Sequence, residues 1–209
     1  MKGSIKIARW VKRRAIQWLC AELAQVEHQR ENNYKEYLKT QLKHCGEGVC
    51  FNGQVFITGA SAIVIGNNVH LGNNAFIRGE GGLEIGDNTH ISRSFVLYTI
   101  NHDYVGKCLP YDENITKKPV HIGKNVWIGM NVCIAPGTTI GNGAIIGMGT
   151  VVFGNVPPFA IIGSRPWRQI GERDTIHYAR LEQARAYGGV NGAPVELSSQ
   201  TEVQLPGGI

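Results

Sequence analysis

The residues with the clearest chemical potential lie in one short stretch, TINHDY at 99–104, where His102 stands between Asn101 and Asp103. An imidazole takes up and releases a proton near neutral pH, so His102 is a candidate general base. A surface histidine that begins a turn is the other interpretation that the residue type leaves open. The surroundings bear on this choice, because the stretch interrupts a regular repeat on both sides.

A six-residue repeat surrounds this stretch. From residue 65 the chain reads IGNNVH, LGNNAF and later IGDNTH and ISRSFV, and from 122 it reads IGKNVW, IGMNVC, IAPGTT, IGNGAI and IGMGTV. The first position is aliphatic throughout. Asn and Gly enter the left-handed backbone conformation most readily, so they predict a corner wherever they recur. They fill the fourth position at Asn68, Asn74, Asn88, Asn125, Asn131, Gly137, Gly143 and Gly149.

Short strands joined by such corners wind into a coil, and three hexads close one triangular turn. The pattern therefore predicts an all-β prism with the aliphatic first positions inside. Stacking the hexads superposes the coils that begin at 65, 85, 122 and 140, and it aligns His70, His90, Trp127 and Ile145 in one outward column. The 27 glycines and the 18% of charged residues fit a turn-dense fold.

The chain is expected to have four segments. These are an N-terminal helical segment at 1–48, the β-helix at 49–163, a C-terminal extension with a short helix at 164–188, and a tail at 189–209 that is predicted to be disordered. Asp174 is predicted to cap the short helix and Gly188 to stop it. The β-helix carries an extruded loop at 103–119, directly after His102, and a loop this long in a compact repeat is usually functional.

The N-terminal segment is basic, because six Lys and Arg residues precede the first acid, Glu22. Apolar residues on two sides of the predicted helix call for two partners. One partner would be the prism or a sister subunit, and the other would be an anionic membrane surface. The alternative is a helix that simply caps the β-helix and protects its edge strand. The five cysteines show no regular framework, which predicts reduced thiols in the cytoplasm, with the inner face of the membrane as an alternative location. No apolar run is long enough to cross a bilayer.

Several motifs occur in a family's order and spacing. TINHDY is followed by IGKNVWIGMNVCIAPGTTIGNGAIIGMGTVV at 122–152, a VPP exit at 156–158 and the tail IIGSRPWRQI at 161–170. Together they resemble the hexapeptide-repeat acetyltransferases, in particular the galactoside and maltose O-acetyltransferases and the surface-polysaccharide O-acetyltransferases. The resemblance implies a left-handed parallel β-helix, a homotrimer, and acetyl-CoA as co-substrate in a cleft between protomers.

The resemblance also implies roles for individual residues. His102 would be the base that takes the proton of an acceptor hydroxyl, and the backbone N–H of Met130 would be the oxyanion donor. Gly154 stands where family members often carry a lysine for phosphate, so Arg165 or Lys118 is a candidate substitute. The residues expected to bind the coenzyme are Trp127, Met130, Met148, Gly154, Arg165 and Arg168.

The acceptor is expected to meet polar side chains on the coils near His102, although corner formation and ordinary surface charge explain the same residues. These candidates are Asn73, Asn74, Arg78, Arg93, Asn101, Asp103 and Tyr104. The expected function is transfer of acetyl to a sugar hydroxyl in polysaccharide biosynthesis. An N-acetyltransferase of an amino sugar or sugar nucleotide is one alternative, and a non-catalytic scaffold is another.

A zinc site is not expected. Zinc-dependent carbonic anhydrases share this fold, but they need three histidines that converge between neighbouring prisms. Among His70, His90, His102 and His121 no pair is closer than twelve residues in the sequence.

Overall fold

The computed structural model describes residues 2–102, 113–163, 168–172, 174–188 and 194–195. The chain begins with helix α1 (Lys2–Gln41), winds through short parallel strands, and then forms helix α2 (Thr175–Gln183). Residues up to Tyr37 form one compact unit, and the chain from Leu38 onward forms a second. Among the described residues, no helix combines the length and the hydropathy that a membrane span requires.

Three parallel sheets form the faces of a prism in the second unit. Face A contains β1 (His44–Cys45), β4 (Ile63–Ile65), β7 (Leu83–Ile85), β12 (Val120–Ile122), β15 (Thr139–Ile140) and β18 (Asn155–Val156). Face B contains β2 (Cys50–Phe51), β5 (His70–Leu71), β8 (His90–Ile91), β13 (Trp127–Ile128), β16 (Ile145–Ile146) and β19 (Ala160–Gly163), with β20 (Arg168–Glu172) antiparallel at its end. Face C contains β3 (Val55–Thr58), β6 (Ala75–Arg78), β9 (Val96–Tyr98), β14 (Cys133–Ile134) and β17 (Val151–Val152).

The hexad register is confirmed by the strand pairing. Ile65 pairs with Ile85, Ile85 with Ile122, and Ile122 with Ile140, as the stacked repeats predict. The outward column on face B is also confirmed, since it runs through His70, His90, Trp127 and Ile145. The architecture is the predicted left-handed β-helix.

The corners follow the sequence pattern. All eight predicted Asn and Gly positions have φ between 52° and 81°. Glycine at the second hexad position has a different cause, which is close approach between coils. A Cβ on Gly72 would lie 2.4 Å from the Arg93 nitrogen, and one on Gly129 would lie 2.6 Å from the Met148 nitrogen. A side chain at these places would therefore push neighbouring coils apart.

The core is the column of aliphatic side chains inside the prism. Burial of each such side chain contributes on the order of 2 kcal/mol, which explains why the first position tolerates no polar residue. Leu38 and Leu42, at the end of α1, belong to the same buried cluster, so this end of the helix covers the first coil. The first-position residues at most 1% exposed include Ile65, Leu71, Ile77, Ile85, Leu97, Ile122, Ile128, Ile140 and Ile146.

The structure corrects the predicted start of the solenoid and the predicted end of α2. Strand β1 already pairs with β4, so the solenoid begins at His44 and not at residue 49. Asp174 caps α2 as predicted, by accepting hydrogen bonds from the Ile176 and His177 nitrogens at 2.9 Å. The helix ends at Gln183 and not at Gly188, because Arg185 takes the left-handed conformation (φ 50°) and the Ala186 N–H bonds back to the Leu181 carbonyl.

The predicted disordered tail also contains paired backbone. Strands β21 (Tyr187–Gly188) and β22 (Pro194–Val195) pair antiparallel, so the tail is not without structure throughout. The other residues from 189 onward lie outside the described part of the chain.

Candidate active site

His102 lies at the end of a strand that leaves the prism. Strand β10 (Ile100–His102) pairs antiparallel with β11 (Ile115–Lys117), and His102 is opposite Ile115. The predicted loop 103–119 is therefore strand in part, and residues 103–112 lie outside the described residues. His102 is exposed, and its N–H donates to the Asn101 side-chain oxygen at 3.0 Å. The hairpin fixes the backbone of the candidate base and leaves its side chain accessible.

The base of this hairpin is anchored to the prism by Thr99, which is fully buried. Its hydroxyl donates to the Arg78 carbonyl at 2.7 Å and accepts from the Gly81 N–H at 2.8 Å. The Lys118 N–H donates to the Thr99 carbonyl at 2.8 Å, which ties the returning strand to the same point. The position of His102 is thus set by a buried polar residue three positions before it.

The candidate residues lie on two different edges of the prism. The boundary between faces B and C is called the B–C edge, and it comprises residues 52–54, 72–74, 92–94, 129–131 and 147–149. The boundary between faces C and A is called the C–A edge, and it comprises residues 78–82, 99–102, 118, 136–137 and 154. Asn101, His102, Arg78, Lys118 and Gly154 are on the C–A edge. Trp127 is on face B and is 58% exposed. The B–C edge carries Asn73, Asn74, Arg93, Met130 and Met148.

This separation corrects the expectation of one acceptor surface. Arg78 is on the opposite edge of face C from Asn73, Asn74 and Arg93, so these side chains do not converge within one chain. The Arg78 guanidinium donates to the Glu80 carboxylate at 2.9 Å and lies 6.0 Å from the centre of the Tyr98 ring. Burial alone would raise the pKa of Glu80, but its backbone N–H and the Arg78 guanidinium hold that pKa below the ordinary value.

The backbone N–H of Met130 lacks the side-chain cap that several of its counterparts in the solenoid have. At several third hexad positions, the backbone N–H is capped by an Asn or Asp side chain of the next coil. Asn67 Oδ1 accepts from the Glu47 nitrogen at 2.8 Å, and Asn142 Oδ1 accepts from the Lys124 nitrogen at 2.8 Å. The residue above Met130 is Met148, whose thioether is at best a weak acceptor.

Within the described residues, the Met130 N–H consequently donates no hydrogen bond. Its carbonyl is engaged, because it accepts from the Gly149 N–H at 2.9 Å. A donor held by a rigid coil and left without a partner is suited to stabilise an oxyanion. The Met130 N–H therefore stays a candidate for the oxyanion donor that the resemblance implies.

The other histidines form internal contacts. The rings of His70 and His90 stack with their centres 4.3 Å apart, and His70 is only 7% exposed. Burial and the neighbouring His90 lower the pKa of His70. His121 Nδ1 lies 3.1 Å from the Glu84 carboxylate, a pair that the sequence analysis missed. The stacked hexads carry the signal for it, since each residue directly precedes an aligned isoleucine.

A second missed cluster joins α2 to the solenoid. Lys124 Nζ donates to Glu182 at 2.9 Å, and the Asn125 amide donates to the Tyr178 hydroxyl at 2.6 Å and also to Glu182. Among the described residues, no group of three His, Cys, Asp or Glu side chains converges as a metal site would require. Asp103, Tyr104 and Arg165 lie outside the described residues, and Arg168 begins β20.

The chain matches two family models over parts of its length. Residues 119–154 match the bacterial transferase hexapeptide model of six repeats, and residues 62–92 match the hexapeptide repeat of succinyl-transferase. No curated protein matches the sequence. The matched ranges lie in the described solenoid, on both sides of the β10–β11 hairpin.

Solved acetyltransferase structures share the fold. A hexapeptide-repeat-containing acetyltransferase from Vibrio cholerae is 28% identical with a TM-score of 0.62, over 68% of this chain and 80% of that one. A maltose O-acetyltransferase from Clostridium difficile 630 is 29% identical with a TM-score of 0.61, over 67% and 74% of the two chains. A galactoside acetyltransferase in complex with coenzyme A is 29% identical with a TM-score of 0.56, over 68% and 72%.

The Vibrio cholerae protein has also been solved with acetyl coenzyme A. The fold and the repeats define the class of this protein as a left-handed β-helix of hexapeptide repeats. The predicted resemblance to the hexapeptide-repeat acetyltransferases, maltose and galactoside enzymes included, is confirmed.

Proposed function

We propose that the protein transfers acetyl from acetyl-CoA to a sugar hydroxyl, with His102 as general base and the Met130 N–H as oxyanion donor. The observation that carries this proposal is the Met130 N–H, which the coil fixes on an edge of the prism and which donates no hydrogen bond within the described residues. The likeness to acetyltransferases solved with coenzyme A or acetyl coenzyme A supports the donor substrate. The likeness to a maltose O-acetyltransferase supports a sugar acceptor.

In the proposed reaction, His102 takes the proton of the acceptor hydroxyl as its oxygen attacks the thioester carbonyl. A C–O bond forms, and the carbonyl oxygen gains negative charge that the Met130 N–H stabilises. The C–S bond then breaks, and the thiolate of coenzyme A receives the proton from His102. Acetyl ester, free thiol and neutral imidazole result, so no acyl-enzyme is needed.

The geometry supports an active site shared by two chains. His102 and Met130 lie on opposite edges of face C. About six residues separate those edges within one coil, or roughly 15 to 20 Å at the rise of a strand. We propose that His102 of one protomer meets Met130 of its neighbour in a homotrimer, because a closed ring of identical contacts satisfies every site.

The surface of the prism is consistent with this arrangement. Face C and its edge expose apolar side chains, with Phe56 48%, Val151 58% and Phe153 61% exposed. The outward column of face A is polar at Glu84, His121 and Thr139. In a three-fold ring that joins the two edges of face C, this apolar face turns toward the axis and leaves face A in water.

The phosphates of the coenzyme require cations, and Gly154 supplies no side chain. Arg168, Arg165 and Lys118 are the proposed sources, with Trp127 and Met148 along the coenzyme. Lys118 is exposed on the C–A edge. We further propose that the acceptor is a precursor of a surface polysaccharide and that the enzyme acts in the cytoplasm.

Replacement of His102 by Ala tests the proposal. We expect turnover to fall about a hundredfold to ten-thousandfold, the usual contribution of a general base, with the thermal unfolding temperature unchanged. Thiol release from acetyl-CoA with a panel of sugars, each paired with its amino-sugar counterpart, measures the loss and separates O- from N-transfer. The matched control is His177→Ala on the exposed part of α2. Equal activity of the His102 variant and the control contradicts the proposal.

A further inference from the structure

The B–C edge below Met130 carries a strip of backbone donors without partners. Its third hexad positions read, from the N-terminal end, Asn73, Arg93, Met130 and Met148. Within the described residues, neither the Asn73 N–H nor the Arg93 N–H donates a hydrogen bond. The reason is the same as at Met130, since the coil above offers Arg or Met in place of Asn or Asp. Neighbouring coils lie about 4.8 Å apart, so these donors form a line along the prism.

Arg93 adds a full positive charge to this strip. Its side chain is exposed, and it forms no ion pair with any carboxylate of the described residues. Arg78 on the other edge is different, because it pairs with Glu80 at 2.9 Å. No Asp or Glu occurs among the residues of the B–C edge. The edge is therefore electropositive through both its backbone and its one arginine.

The position of Arg93 relative to the proposed reaction centre gives the strip a role. Arg93 lies in the coil whose chain continues into His102, and Met130 lies in the next coil. Coenzyme that runs from Met130 toward Met148 occupies the edge above the thioester. In a ring of parallel protomers, the edge at Arg93 and Asn73 is then the side open to the acceptor.

We propose that the acceptor carries an anionic group, a carboxylate or a phosphate, and that Arg93 selects it together with the backbone N–H groups of Arg93 and Asn73. A guanidinium presents a planar fork of donors that matches two oxygens of either group. Ser92 and Ser94 flank Arg93 and offer hydroxyl donors to the same oxygens. This inference rests on the proposed function, because it specifies the acceptor of that site.

The test compares Arg93→Gln with the wild type on three acceptors, namely glucose, glucuronic acid and glucose 1-phosphate. We expect the wild type to prefer at least one anionic acceptor, and the variant to raise KM for it about tenfold or more, as loss of a charge-assisted hydrogen bond would. KM for glucose should change far less, so the ratio of kcat/KM for the anionic acceptor to kcat/KM for glucose should fall. The acceptor that the wild type prefers identifies the anionic group as a carboxylate or a phosphate. Arg180→Gln, on the exposed surface of α2, is the matched control.

Two results overturn this inference and leave the proposed function standing. One is His102-dependent acetylation in which glucose is as good an acceptor as the anionic sugars. The other is that Arg93→Gln loses activity equally with all three acceptors or dissociates the oligomer. Arg93 would then pair with a carboxylate of a neighbouring protomer. If none of the three sugars is acetylated, ligand-observed NMR with coenzyme A present decides the question. Equal binding of glucuronate and glucose 1-phosphate to wild type and Arg93→Gln then overturns it.

Discussion

At the scale of single residues, the proposed reaction depends on one acid–base group and one backbone donor. His102 could be selected from the sequence, because it ends a hexad at the point where the repeat stops. The reason for Met130 could not be read from the residue alone. It appears only when the coils are stacked, because the residue above Met130 is then Met148, whereas the residue above Lys124 is the capping Asn142.

Met130→Pro removes the proposed oxyanion donor, and proline is compatible with this position of the hexad. Pro136 already occupies the same hexad position one face further along, so the coil tolerates proline there. We expect kcat to fall about a hundredfold or more, the usual effect of losing one oxyanion donor, with KM for acetyl-CoA changed far less. Met130→Ala keeps the N–H and is the control. If both variants retain full kcat, the N–H takes no part in the reaction.

At the scale of elements, the hexads determine the corners, the register and the core, because each depends on a local preference repeated many times. The structure of the segments where the repeat stops was harder to predict. The hairpin of β10 and β11 depends on pairing between distant residues, and the end of α2 depends on Arg185 entering a conformation that usually selects glycine. Neither interaction leaves a periodic trace in the sequence.

Thr89 joins the two coils on either side of the hairpin through hydrogen bonds. It is fully buried, and its hydroxyl donates to the Gly123 carbonyl at 2.9 Å and accepts from the Val126 N–H at 3.2 Å. Thr89→Val should lower the free energy of unfolding by about 1 to 3 kcal/mol, because it leaves a buried N–H and carbonyl without this partner. Denaturant unfolding measures the loss. Thr89→Ser retains the hydroxyl, so a loss as large as that of valine would show that the methyl group matters instead.

At the scale of the whole molecule, one chain presents the two halves of a site on different edges. The sequence predicted which residues face outward, but it could not show that Arg78 and Arg93 point from opposite sides of face C, because that depends on which corner each hexad turns. An exposed apolar face between the two edges is consistent with assembly as part of the proposed mechanism. The ring, and not the single prism, is the proposed catalytic unit.

Mixing two inactive variants tests this central claim most directly. His102→Ala and Met130→Pro are unfolded together, refolded as mixed oligomers, and assayed for thiol release from acetyl-CoA with an acceptor. A site that takes His102 from one chain and Met130 from the next is restored when each chain supplies its intact half, in roughly a quarter of the sites of a randomly mixed ring. Recovery to about that fraction of wild-type turnover is the expected result. Mixed oligomers as inactive as either variant alone would contradict a site shared between protomers.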